Sequence, residues 1–177
     1  LIEDTICENQ TSTLTAAITG NFATTPSLVW YDAAVGGNIL DFGATYTTPA
    51  LTSTTTYYVG TCPGTFRTPV TVVVSPQITI AGNPPSISPE TCAGNDGSIT
   101  GLTAAGGLGT LAFEWNGNSS ASEDLLNAIG GNYTLTVTDI IGCSVTAGPF
   151  TVASSPGPSI DVSNMIITNE SCFGFDG

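Results

Sequence analysis

Asn132-Tyr133-Thr134-Leu135-Thr136-Val137-Thr138-Asp139 alternates strictly, with Tyr133, Leu135 and Val137 on one side and Thr134, Thr136 and Thr138 on the other. A period of two belongs to an extended strand and puts one row of side chains into a core and the other into water. The same alternation appears upstream as Leu14, Ala16 and Ile18 within Thr13 to Ile18, and as Val70, Val72 and Val74 within Pro69 to Ser75. Turn signals stand between such runs: Gly36-Gly37-Asn38, Asn83-Pro84-Pro85, Asn95-Asp96-Gly97, Gly106-Gly107, Asn116-Gly117 and Gly130-Gly131. Short strands at this spacing predict sandwich-like all-β domains. Ser122 to Ala128 is the segment that would accept a helical turn, and it is too short to change the class.

Two Pro-containing junctions divide the chain. Val74-Ser75-Pro76-Gln77 and Ser154-Ser155-Pro156-Gly157-Pro158 each follow a Val-containing strand and precede an Ile-containing one. The expected domains are 1–76 and 77–156, each of a size for a seven-strand sandwich, followed by 157–177. Glu90-Thr91-Cys92-Ala93-Gly94-Asn95-Asp96-Gly97 recurs as Glu170-Ser171-Cys172-Phe173-Gly174-Phe175-Asp176-Gly177, an offset of 80, and Ile80 and Ile87 then fall on Ile160 and Ile167. Residues 157–177 therefore read as the start of a further copy. The chain as a whole reads as an excerpt from a tandem array of β-domains.

Composition excludes many functions. The 177 residues hold 14 Asp and Glu but a single Lys or Arg, Arg67, for a formal charge of −13, and no His. Nothing neutralises phosphates or grips an anionic bilayer, so no nucleic-acid partner is expected. No run approaches the roughly 20 apolar residues of a membrane span, so no membrane insertion is expected. Lack of His removes Ser-His-Asp and Cys-His dyads and imidazole metal sites, and lack of Lys removes Schiff bases, P-loops and Lys-Asn isopeptide cross-links. The expectation is a protein that is not an enzyme and carries no cofactor.

The five cysteines follow the same division. Cys7 and Cys62 fall in the first domain, Cys92 and Cys143 in the second, and Cys172 opens the next copy. This predicts one disulfide inside each domain, Cys7 with Cys62 and Cys92 with Cys143, with Cys172 unpaired in this excerpt. Loops of this size would each stabilise by roughly 3 to 4 kcal/mol, and such bonds belong to an oxidising, exported setting. The competing reading is a metal site, but no pair has CxxC spacing and no His completes a set.

Taken together, several motifs resemble a known family. Cys92-x-Gly94-x-Asp96-Gly97-Ser98-Ile99, the Gly106-Gly107 turn, Phe113-x-Trp115 before Asn116-Gly117, and Gly131-x-Tyr133-x-Leu135-x-Val137-x-Asp139-x-x-Gly142-Cys143 resemble a SprB repeat, the module of very large surface adhesins of gliding Bacteroidota. Leu108-Gly109-Thr110-Leu111-Ala112-Phe113 departs from that pattern, which more usually has a Pro-Tyr pair here. Residues 1–75 resemble the Ig-like module that accompanies such repeats, through Ile6-Cys7, Trp30-Tyr31-Asp32, Thr47-Thr48-Pro49, Tyr57-Tyr58-Val59 and Arg67-Thr68-Pro69-Val70. In an antibody-type domain the first Cys lies on the second strand, whereas Cys7 precedes that strand here and Trp30 follows it by 23 residues. The expected bond therefore ties a strand end to the last hairpin. The resemblance implies a surface protein exported by type IX secretion and acting in adhesion and gliding. Its implied partners are neighbouring repeats, surface polysaccharide, and gliding or secretion machinery.

Candidate sites carry bland readings beside the functional ones. Trp30 and Trp115 would stack on a sugar if exposed, but a large aromatic on a central strand is ordinarily core. Of the pair Tyr57-Tyr58, alternation turns one toward water. Asp96 and Asp139, with Glu114, Glu123 and Asp124, offer oxygen ligands for Ca²⁺, although Asp96 before Gly97 is first a turn former and EF-hand or RTX loops are absent. Asp4-Thr5-Ile6 resembles a Bacteroidota O-glycosylation site at Thr5. The expected function is a structural and adhesive shaft; the alternatives are a carbohydrate-binding module or accessory domains of a secreted enzyme.

Overall fold

The structure, a computed structural model, describes residues 4–20, 26–62, 64–92, 94–116, 118–120, 122–155, 157, 161–164 and 166. All regular structure among them is extended. The first domain contains β1 (Asp4–Ile6), β2 (Thr13–Thr15), β3 (Ser27–Tyr31), β4 (Ile39–Phe42), β5 (Thr45–Thr47), β6 (Thr55–Cys62) and β7 (Arg67–Val74). A five-stranded sheet has the order β1-β7-β6-β3-β4, and β2 and β5 form a second, two-stranded sheet. The first strand lies parallel to the last, Ile6 opposite Val74. Every other pairing in this domain is antiparallel.

Side-chain periodicity explains where the core forms. Val72 and Val74 on β7, Tyr57 and Val59 on β6, and Leu14 on β2 point inward around Trp30, which is fully buried. Burying side chains of this size stabilises by about 1.5–3 kcal/mol each. The expected strand over Thr13 to Ile18 ends at Thr15, because its partner β5 starts at Thr45 and only the Ala16 N–H still reaches the Ala44 carbonyl. Pro69 is tolerated within β7 because β1 pairs with Val72–Val74 only, leaving that end of β7 without a neighbour on one side.

The second domain contains β8 (Thr79–Ala81), β9 (Ser86–Ser88), β10 (Glu90–Thr91), β11 (Gly97–Thr100), β12 (Thr103–Ala105), β13 (Ala112–Trp115), β14 (Asn118–Ser120), β15 (Leu125–Ala128), β16 (Gly131–Thr138), β17 (Ser144–Val152) and β18 (Ser154–Ser155). Its largest sheet is β14-β13-β16-β17, faced by β15-β11-β9 and by the pairs β12-β8 and β10-β18. The segment that would have accepted a helical turn instead supplies β15, whose Leu125 and Ala128 pack on the core as partners of β11. A separate core gathers Ile78, Ile99, Leu102, Trp115, Leu135, Val137, Phe150 and Val152. Pro149 is accommodated on edge strand β17 where the register shifts opposite Thr134. Here too a short strand runs parallel to the last one, Glu90 of β10 opposite Ser154 of β18. Each domain thus has a pole where a short parallel strand meets its last strand and an opposite pole where its last hairpin turns.

Candidate functional site at the domain junction

The polar ends of the two domains meet at Ser75. β1 delivers Cys7 to the pole where β7 ends, and the Ser75 N–H donates to the Ile6 carbonyl (2.9 Å). From the other side the β16–β17 hairpin presents Asp139 and Cys143, its Asp139 N–H closing on the Cys143 carbonyl (2.9 Å). Cys7 and Cys143 are joined by a disulfide across the junction, with Cα atoms 5.5 Å apart and a sequence separation of 136. The flanks of the bond form an open cleft of about 360 Å³ lined by Gln10, Pro76, Gln77 and Val145 among others.

This overturns the expected pairings. Cys62 lies seven residues along β6 from Thr55, which faces Val72, so about 23 Å of strand separates it from the pole that holds Cys7. A disulfide requires Cα atoms within about 7 Å. Cys92 donates its N–H to Ser155 beyond the end of β17, while Cys143 precedes the start of that nine-residue strand, a separation of about 30 Å. Domain membership put the right cysteines in each domain but at opposite poles. Cys62 and Cys92 are free and exposed. Cys172 lies outside the described residues.

Asp139 organises the same junction. It is 5 % exposed, and its Oδ2 accepts from the Ser75 hydroxyl (2.7 Å) and the Leu108 N–H (3.0 Å), while Oδ1 accepts from the Ile141 (3.0 Å) and Cys143 (2.9 Å) N–H groups. One carboxylate therefore ties the linker, the loop after Gly107 and the hairpin carrying Cys143. Burial acts to raise its pKa, but the Ser75, Leu108, Cys143 and Ile141 donors outweigh burial and hold it below the ordinary carboxylate range. The Gly106-Gly107 turn fits here because the linker runs over it. A Cβ on Gly106 would stand 2.1 Å from the Gln77 carbonyl oxygen, and Gly106 has φ +88°. The Gly107 N–H donates to the Pro76 carbonyl (2.9 Å).

The other candidate residues are dispersed. Trp30 and Trp115 are 0 % and 2 % exposed, so the sugar-stacking role is withdrawn. Trp30 donates its indole N–H to the Gly43 carbonyl (3.1 Å) and packs near Tyr46, whereas Trp115 lies against Phe150 and its buried N–H has no partner among the described residues. Tyr57 is buried and Tyr58 half-buried. Asp96 sits at the far pole of its domain, accepting from the Thr91 N–H and hydroxyl, which hold its carboxyl below the usual range. Asp96 and Asp139 are thus not brought together. Among the described residues no three His, Cys, Asp or Glu side chains converge to hold a metal ion. Thr5 is half-buried on β1 and paired with Val73.

What the sequence reading missed is the cross-domain reach of Cys7 and the Ser75–Asp139 bond. Its one available signal was the recurrence of Ser75-Pro76 as Ser155-Pro156 at the same offset of 80 as the cysteine motif.

The chain is similar to the N-terminal eight Ig domains of Down Syndrome Cell Adhesion Molecule at 14 % identity and TM-score 0.47, covering 86 % of this chain and 23 % of that one. It is similar to the fibronectin(III)-like modules of Clostridium thermocellum CbhA at 14 % identity and TM-score 0.40, covering 96 % and 95 %. It is also similar to three N-terminal domains of the bacteriophage RB49 outer capsid protein Hoc at 15 % identity and TM-score 0.38, covering 84 % and 55 %. This chain thus spans about a quarter of the first of these structures and just over half of the third. No curated protein matches the chain. Residues 2–76 match the family model of the Ig-like domain described as CHU_C associated, and the chain is all-β with Ig-like sheets.

Proposed function

We propose that this chain is a load-bearing, non-enzymatic segment of an exported bacterial surface protein, the shaft of a large adhesin. The observation that carries the reading is the Cys7–Cys143 bond, which joins two successive domains end to end at their meeting poles. Force entering ahead of Cys7 passes through sulfur to Cys143 and leaves along β17, so the residues between the two cysteines are shielded. The Ser75–Asp139 hydrogen bond and the linker docked on Gly106 and Gly107 stiffen the same joint. An oxidising, extracellular location suits the bond, and the acidic, Thr-rich surface keeps strand edges soluble. Adhesion, type IX export and service in gliding follow from the resemblance to SprB repeats and the Ig-like module. Neighbouring repeats of the parent chain are the partners this role requires.

Pulling on the chain by its two ends tests the reading. With the bond intact, extension should stop about 480 Å short of the full contour, because 136 residues at roughly 3.5 Å each are bypassed. Reduction should release that length. Extension of the oxidised chain to its full contour would overturn a load-bearing role for the junction.

A further inference from the structure

We infer that Cys62 and Cys92 are the two halves of further interdomain disulfides, so that every junction of the array is stapled as the Cys7–Cys143 junction is. The inference rests on the tandem-array reading above and deepens it. Cys7 and Cys92 occupy matching places, each directly after the short strand that pairs parallel with its domain's last one, β1 with β7 and β10 with β18. Cys62 and Cys143 also match, each in the last hairpin of its domain, β6–β7 and β16–β17. In the junction between the two domains, the bonded pair is the parallel-strand cysteine of one domain and the last-hairpin cysteine of the next. Among the described residues the two cysteines left over are the outward-facing members of the same two classes, and both are exposed.

Two independent observations indicate that another domain of this architecture covers them. Phe66, in the turn that Cys62 enters, is 92 % exposed, a large apolar side chain presented at the pole where a preceding domain would dock. At the opposite pole the sequence repeats the linker of the junction: Ser75-Pro76 returns as Ser155-Pro156, at the same offset of 80 by which Cys92 returns as Cys172 in the following copy. By that offset the partner of Cys92 stands at about position 223 of the parent chain, in the last hairpin of the following domain. The partner of Cys62 is the parallel-strand cysteine of the domain before.

Each bond forms by thiol–disulfide exchange. The two cysteine thiols lose two protons and two electrons, and an oxidant of the thiol–disulfide oxidoreductase class, entering as its disulfide, leaves as the dithiol. The consequence is mechanical. Cys62 and Cys92 lie in successive domains but are only 30 residues apart, so the shortest covalent route across two domains would be about 100 Å of chain even with both domains unfolded.

The test is a disulfide map of the array at its natural length, isolated with free thiols alkylated and digested with pepsin at low pH. Cys62 is expected in a peptide linked to the preceding domain, and Cys92 in one linked to the following domain, neither carrying alkyl. Alkylated Cys62 and Cys92 beside an intact Cys7–Cys143 bond would overturn the inference while leaving the stapled junction and the array reading in place. An alkylated Cys7 would instead defeat the load-bearing reading itself. Cys62→Ser supplies a second readout: one new alkylatable thiol should appear, on the preceding domain, whereas a new thiol at Cys7 or none at all would refute the pairing.

Discussion

Removing the staple should change how the two domains unfold as well as how stable they are. In a background of Cys62→Ser, Cys92→Ser and Cys172→Ser, only the Cys7–Cys143 bond can form. When one domain unfolds and the other stays folded, the folded domain keeps its own cysteine, Cys7 or Cys143, beside the linker at Pro76 and Gln77, so the bond closes a loop of about 70 residues and opposes unfolding by about 4 kcal/mol. When both unfold, the closed loop grows to 136 residues, yet the penalty rises only to about 5 kcal/mol, since loop entropy increases with the logarithm of length. The second domain to unfold is therefore held by only about 0.6 kcal/mol. The bond penalises half-unfolded molecules and so makes the pair cooperative. Urea unfolding followed by the fluorescence of Trp30 and Trp115, one in each core, reads this directly. The oxidised protein should show one transition, and Cys7→Ser with Cys143→Ser should show earlier transitions that separate according to each domain's own stability. Superimposable curves for the two proteins would refute the reasoning.

Two more outcomes follow from the geometry. Because the folded pKa of Asp139 is depressed, its contribution is full above the unfolded value of about 3.9 and is lost as pH falls through the folded value; Asp139→Asn should flatten the acid limb of urea midpoints measured from pH 5 downward, and an unchanged limb would show that other carboxylates dominate. Trp30→Phe should cost about 1 kcal/mol more than Trp115→Phe in denaturant titrations, because the first change strands the Gly43 carbonyl and the second removes a buried N–H without a partner; equal losses would contradict this.

The class of fold was legible because it depends on local periodicity. Leu135 and Val137 are both fully buried, and the Thr residues between them lie on the opposite face, since a strand's side chains alternate whatever its partners are. Trp30 and Trp115 were legible as core for a related reason, their size and strand setting. The separate cores at 6–74 and 78–152 fall on either side of the Ser75-Pro76 linker.

What only the tertiary structure decided is which cysteines meet. Cysteine membership of each domain could be counted along the chain, but pairing depends on which pole each strand reaches. That is fixed by the parallel docking of β1 on β7, which sends Cys7 away from Cys62, and by the hairpin that carries Cys143 toward the preceding domain. Asp139 shows the same division. Its place at a strand end was readable from the residues, and its bonds from Ile141 and Cys143 are local, whereas those from Leu108 and Ser75 come from 31 and 64 residues away and form only once the second domain has folded against the linker. Local order follows the backbone's own stereochemistry, while the staple follows long-range register that no short stretch of the chain encodes.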